Sequence, residues 1–297
     1  MKLKSTLILV TVLFSLPGAS QEQNLIAEGA QPELIADGFK FTEGPATDAE
    51  GNVYFTDQPN NRIHKWSTKD NVVTVFMEDA GRSNGLYFDA EGNLFAAADK
   101  HSEIWKITPK KEVSVLLEGF RGKRFNGPND LWISPDGGIF FTDPFYKRDY
   151  WSHSEQPIKE QRVYYLTPNR KGLFIAAEGL VKPNGIIGTP DGKTVYIADI
   201  EDNKTWSYSI GADGKLENKT LFAELGSDGM TMDEQGNLYL TGDGVTVFNK
   251  AGEKILHIPV DKEWTANVTF GGLDHQTLFI TAMDSVFGLK MNVKGAK

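Results

Sequence analysis

Cysteine is absent from this chain of 297 residues. Disulfides, thiolate metal sites and cysteine nucleophiles are therefore excluded. A basic excess is missing too: 31 Lys+Arg stand against 40 Asp+Glu, for a formal net charge of −9. Nucleic acid needs a basic face, so it is not an expected partner. The balance permits cation binding and small-molecule chemistry. No apolar run reaches the roughly 20 residues of a membrane span. The run Thr6 to Leu16 follows Lys2 and Lys4 and precedes Gly18, Ala19 and Ser20. That order reads as an export signal over 1–20, with small residues for cleavage. No Cys follows it, so a lipoprotein anchor is not available. The expectation is a mature chain over 21–297, exported to a periplasm or secreted, with no membrane contact after cleavage.

Helix–loop–helix calcium sites are also missing. The strings AEGN at 49–52 and 90–93, PDGG at 135–138, PDGK at 190–193 and EQGN at 234–237 look like fragments of such loops. They lack the acidic positions and flanking helices that the motif requires. They read instead as tight turns, where Gly supplies a positive φ.

What the chain does have is a repeated phrase. It reads Ser-Asn-Gly-Leu at 83–86, Pro-Asn-Asp-Leu at 128–131, Pro-Asn-Gly-Ile at 183–186 and Ser-Asp-Gly-Met at 227–230. Looser copies are Thr-Glu-Gly-Pro at 42–45 and Ala-Asn-Val-Thr at 266–269. The second places are Glu43, Asn84, Asn129, Asn184, Asp228 and Asn267, spaced 41, 45, 55, 44 and 39 residues apart. Each phrase opens a unit of short apolar strands separated by turn signals, the pattern of an antiparallel meander. A period of roughly 40–45 residues with four strands per unit marks a β-propeller. The last unit, 266–292, has only three strands. The isolated strand at 32–38 resembles the missing fourth. The fold class expected is therefore all-β, a six-bladed propeller closed by its N-terminal strand, in a single domain.

In a propeller the first strand of each blade lines the central channel. The six second places then lie at one height around one axis, and their side chains converge. Burying six polar groups without partners is costly. A hard divalent cation resolves the cost, since carboxylate and amide oxygens suit such ions. Glu43 and Asp228 supply two negative charges. Turn capping by Asn or Asp is the rival account of each place alone, and Glu43 fits it poorly. A second repeated residue, Asp57, Asp99, Asp143, Asp199, Asp243 and Asp284, closes each second strand. These read as structural anchors, with Asp143 and Asp199 the best candidates for more.

The phrases EGP at 43–45, RFNGPND at 124–130, FTDP at 141–144, PNGI at 183–186 and SDGM at 227–230 follow one another in an order similar to that of the gluconolactonase/regucalcin (senescence marker protein) family. The resemblance covers nearly all of the mature chain. It implies six blades, one divalent cation in the channel and hydrolysis of sugar lactones, with paraoxonases and diisopropyl fluorophosphatase as more distant relatives. It implies Glu43, Asn184 and Asp228 as metal ligands, and Asn129 as a fourth ligand or a substrate contact. It also implies Arg124 as a substrate contact, although Gly127-Pro128 separates it from Asn129-Asp130. Asn84 is read as a further substrate-facing member of the ring. The cation expected is Ca²⁺, with Zn²⁺, Mn²⁺ or Mg²⁺ as alternatives, and the partner is a small-molecule sugar lactone.

On this reading Asp228 is the general base, and Asn129 and Asn184 stabilise the developing oxyanion. His101 is a rival base. The insertion at 144–160, with Phe145, Tyr146, Tyr150, Trp151 and His153, would shape the pocket as a polar-aromatic lid. Two other functions stay open: a metal-dependent esterase or organophosphatase on the same ring, and a non-catalytic secreted binding propeller.

Overall fold

The computed structural model describes residues 24–296. The export segment expected over 1–20 lies outside them. The chain first lays down β1 (Glu33–Asp37) and then builds blade one from β2 (Thr42–Thr47), β3 (Val53–Asp57), β4 (Arg62–Ser67) and β5 (Val72–Glu78). Blade two is β6 (Ser83–Phe88), β7 (Leu94–Ala98), β8 (Glu103–Ile107) and β9 (Val113–Leu117). Blade three is β10 (Leu131–Ile133), β11 (Ile139–Asp143), β12 (Arg162–Leu166) and β13 (Leu173–Ala177). Blade four is β14 (Pro183–Gly188), β15 (Thr194–Asp199), β16 (Lys204–Ile210) and β17 (Leu216–Ala223). Blade five is β18 (Met230–Met232), β19 (Leu238–Gly242), β20 (Gly244–Phe248) and β21 (Lys254–Ile258). Blade six takes β22 (Asn267–Gly271), β23 (Thr277–Ala282) and β24 (Ser285–Lys290), and β1 completes it in the order β1-β24-β23-β22.

That closure is antiparallel, with Leu34 opposite Phe287 and Asp37 opposite Ser285. It pairs the outer edge of blade six, which would otherwise expose unpaired backbone groups. The six first strands form a ring: β2 neighbours both β6 and β22, and β10, β14 and β18 complete the circuit.

Burial grades outward from this ring. The second strands β3, β7, β11 and β19 are buried along their whole length, while β5 and β9 at the rim are largely exposed. Unbroken apolar runs such as Leu94–Ala98 suit strands covered on both faces. Neighbouring blades share clusters, as where Ala46 and Tyr54 of blade one meet Leu86 and Ala96 of blade two. The turns expected from AEGN and EQGN are present. Asp48 accepts hydrogen bonds from the backbones of Glu50 and Asn52, and Asp233 from those of Gln235 and Asn237.

One mouth of the channel is covered. On the turn side, the Ala296 backbone donates to Met232 and the Glu234 backbone to Lys294. The other mouth, on the side of the phrase residues, holds the candidate site.

Candidate active site

The sequence places the phrase residues in the ring through local irregularity. The ladder slips between Glu43 and Ala46 in blade one, between Ser83 and Leu86 in blade two, and between Pro183 and Ile186 in blade four. A bulge re-aims a side chain away from the regular pleat. Glu43, Asn84 and Asn184 sit in these bulges. Asn129 and Asp228 come just before β10 and β18 begin.

In blades one, three, five and six a buried threonine near the end of the second strand pins the backbone there. Thr56 donates to the Asn84 carbonyl, and Thr281 to the Asn267 carbonyl. Thr241 accepts from the Gly229 backbone at 2.8 Å. The glycine after Glu43, Asn84, Asn184 and Asp228 allows this crowding. A Cβ on Gly229 would stand 2.0 Å from Asn267 Cγ, and one on Gly85 would stand 2.5 Å from Asp130 Oδ1.

The ring floors a pocket of about 410 Å³, lined by Glu43, Asn84, Asn129 and Asp228, with Tyr146, Arg148 and Trp264 among its walls. Asp228 is held on both oxygens: Asn184 Nδ2 donates to Oδ1 at 2.8 Å and Trp264 Nε1 to Oδ2 at 2.7 Å. Asn184 Nδ2 also donates to the Tyr146 hydroxyl at 2.9 Å. Glu43 Oε2 accepts from the Gly44 backbone at 2.8 Å and from Asn267 Nδ2 at 3.4 Å.

Burial sets the charge behaviour of these groups. It lifts Glu43 well above the ordinary carboxylate range, and the charges of Asp228 and Asp130 raise it further. Burial also pushes Asp228 up to about 6, against the bonds from Trp264 and Asn184 and the positive charge of Arg148. A carboxylate raised by the charge of a second carboxylate in the same pocket is a setting that a cation relieves.

The oxygen set bears on whether a cation fits. Asn184 is 1% exposed, and its Oδ1 has no hydrogen-bond partner. A buried, unpartnered amide oxygen is costly by itself. A hard cation is the partner such an oxygen suits. Among the described residues no three His, Asp or Glu side chains gather as a metal cluster. A cation here would rest on Glu43 and Asp228 with amide oxygens, so its ligand charge would balance a divalent ion. The residues present fit the group.

Comparison with known proteins agrees with this fold. The profile described as "SMP-30/Gluconolactonase/LRE-like region" matches residues 41–284. The chain belongs to this family. It is 30% identical over 295 residues to the gluconolactonase of Zymomonas mobilis, covering 89% of this chain and 82% of that protein. Among solved structures, a gluconolactonase of Xanthomonas campestris superposes with a TM-score of 0.83 at 28% identity, over 90% of this chain and 91% of that one. The calcium-binding protein regucalcin of Agrobacterium tumefaciens superposes with a TM-score of 0.74 over 90% of this chain and 95% of its own. Its identity is 19%, which speaks for the fold.

This SMP-30/gluconolactonase chain roofs its pocket with the 144–160 insertion, as expected from its aromatic content. Asp99 of blade two holds the insertion down. Arg148 Nε donates to its Oδ2 at 2.9 Å, the Tyr150 hydroxyl donates to the same oxygen, and Trp151 Nε1 donates to its carbonyl at 2.9 Å. Gln58 Nε2 adds a bond at 3.2 Å, and the Arg82 guanidinium stacks over the Tyr150 ring at 4.3 Å.

Other expected roles are not met by placement. Arg124 is exposed and lines a separate depression with Ser152, His153 and Glu155, away from the ring. The chain turns inward directly after Arg124, with Phe125 and Asn126 fully buried before Gly127 and Pro128 lead to Asn129. His101 is exposed and lines no part of the pocket. Asp143 and Asp199, singled out among the strand-end aspartates, are anchors like Asp57. Each accepts two consecutive backbone N–H groups from the segment entering its blade. The pairs are Asn126 and Gly127 for Asp143, Val181 and Lys182 for Asp199, and Lys40 and Phe41 for Asp57.

The structure also adds residues. Asp130 stands where blades one, two, four and five have Gly44, Gly85, Gly185 and Gly229. It accepts from the Leu131 and Ile186 backbones, and burial pushes it up to about 7. That exception was visible in the aligned phrases. Trp264 comes from the connection between blades five and six, where no periodic signal marks it. The opposite face has a cavity of about 470 Å³ beside Tyr87 and Trp132, but Glu43 and Asp228 do not reach it.

Proposed function

We propose that this chain hydrolyses sugar lactones of the gluconolactone type to the corresponding hydroxy acids. One observation carries the reading. The buried carboxylate of Glu43 and the partly buried one of Asp228 face one pocket beside an unpartnered amide oxygen, under a roof that brings Arg148 into the same space. Glu43, Asn129, Asn184 and Asp228 would hold a divalent cation, Ca²⁺ in the first place, with Zn²⁺, Mn²⁺ or Mg²⁺ as alternatives. Such an ion polarises a carbonyl and lowers the pKa of water when bound.

Asp228 is poised to take the proton of the attacking water. Its two hydrogen bonds fix the carboxylate plane, and its proton affinity lies close to neutrality. Water adds to the lactone carbonyl carbon, the bond to the ring oxygen breaks, and the proton returns from Asp228 to that oxygen as a hydroxyl. Arg148 faces the negative charge that develops and then resides on the product carboxylate. Asn84 and Asn129 line the floor, where their amides can bond the ring hydroxyls. Tyr146 orients Asn184 and limits water at the mouth. We further propose export by the 1–20 segment, so that the enzyme meets its lactones in a periplasm or outside the cell.

The test is a panel of sugar lactones assayed with each cation, before and after EDTA. Opening of aldonolactones that EDTA abolishes and Ca²⁺ restores is the expected result. Hydrolysis indifferent to chelation would reject the cation. No turnover of any lactone would reject the activity.

A further inference from the structure

The pocket over the ring is not closed on all sides. Blade three raises its long insertion beside it, but blade five raises almost nothing. There the second and third strands join through Gly242, Asp243 and Gly244, with Gly242 paired directly to Gly244. A groove of about 710 Å³ runs down the cleft between blades four and five from that low point. It meets the pocket at a common sill, since Ile200 and Trp264 line both spaces. Trp264 is only partly buried and is the residue that holds Asp228.

The pocket already has the volume of a small-molecule site. One lactone ring over Asp228 leaves the groove empty. The groove is lined by polar side chains among apolar ones. Thr246 bonds His257 Nδ1 at 3.1 Å, and Asn203 and the buried Phe248 line the same groove. Alternating hydroxyl partners and an aromatic edge are what a pyranose requires, with one polar and one apolar aspect. The walls also carry acidic Glu224 and Asp243 against Lys254 and His257, so no single charge is selected.

We infer that this groove is a second subsite, taking a glycosyl substituent carried by the lactone, with Trp264 and Ile200 as the sill between the two rings. The inference rests on the lactonase reading for its first ring, and the favoured substrates are then aldonolactones bearing a second pyranose.

Binding and turnover separate the two claims. Calorimetry with the hydrolysis products compares gluconate with cellobionate and gentiobionate, which carry a glucosyl group at O4 and O6. At least one disaccharide acid is expected to bind about tenfold or more tightly than gluconate, a gain of roughly 1.4 kcal/mol. The variant Glu224→Trp narrows the groove at a residue that lines no part of the ring pocket. It is expected to erase that preference, with its melting temperature as the check on folding. Equal binding of all three acids, or a preference that survives in a folded Glu224→Trp protein, overturns the subsite whatever the turnover shows. Failure to open any of the three lactones, with the binding preference intact, overturns the lactonase reading and leaves the subsite standing.

Discussion

Asn184 donates its Nδ2 hydrogen to Asp228 Oδ1 at 2.8 Å and leaves its own buried Oδ1 without a partner. The amide thus fixes a carboxylate from the neighbouring blade and keeps one buried oxygen for a further partner. An Asn locked in this way is half of a binding site.

Divalent cation should therefore stabilise the fold. Ligand at a hundredfold excess over its Kd adds about 2.7 kcal/mol, a rise of several degrees in a chain of this size. Differential scanning fluorimetry with Ca²⁺ and EDTA measures it. In Asn184→Leu the rise is expected to vanish. A Ca²⁺ response that persists unchanged there would take Asn184 out of the ligand set.

Asp228→Asn keeps the shape and removes the base. Its turnover is expected to fall at least about 10²-fold, the lower end of what a general base contributes. Its melting temperature in EDTA should hold or rise, because a negative charge that raises the buried Glu43 has been removed. Steady-state kinetics beside the melt decides it. Near-normal turnover would show that another group takes the proton.

Asp99 is the latch of the roof, and its loss should act through the roof. Asp99→Ala leaves Arg148 and Tyr150 without their shared partner, a cost of about 1–3 kcal/mol. The freed insertion should become more open to protease within 144–160, and KM should rise several-fold. An unaltered cleavage pattern would show that the insertion is held elsewhere.

Asp143 predicts a pH dependence of stability. Burial pushes its carboxyl up to about 7, against the N–H groups of Gly127 and Asn126. In the unfolded chain it titrates near 3.9. Between roughly pH 4 and 7 the unfolded state has already released the proton that the folded state keeps, so stability falls as pH rises. The contribution is complete below the unfolded value and lost on passing through the folded one. It amounts to no more than about 4 kcal/mol. Urea unfolding at intervals across that window measures the slope. Asp143→Asn should flatten it, and an equal slope in the variant would assign the dependence to other groups.

The sequence alone determined the architecture because the architecture is a repetition. A unit that cannot bury its own faces must stack on copies of itself, so a period of four strands fixes blades, ring and closure together. The three-stranded last unit and the spare strand at 32–38 already implied the pairing of β1 with β24. The phrase residues Glu43, Asn84, Asn129 and Asp228 were legible for the same reason, since equivalent places in equivalent blades must meet at the axis. What does not repeat was decided only in three dimensions. Four residues separate Arg124 from Asn129 in sequence, yet Arg124 stays exposed while residues 125–128 turn into the interior. Trp264 and the 144–160 insertion reach Asp228 and Asn184 through irregular connections, whose course no periodicity describes. Charge was equally a tertiary matter. Burial and the groups packed around Asp130, Asp143 and Asp228 set the proton affinity of each.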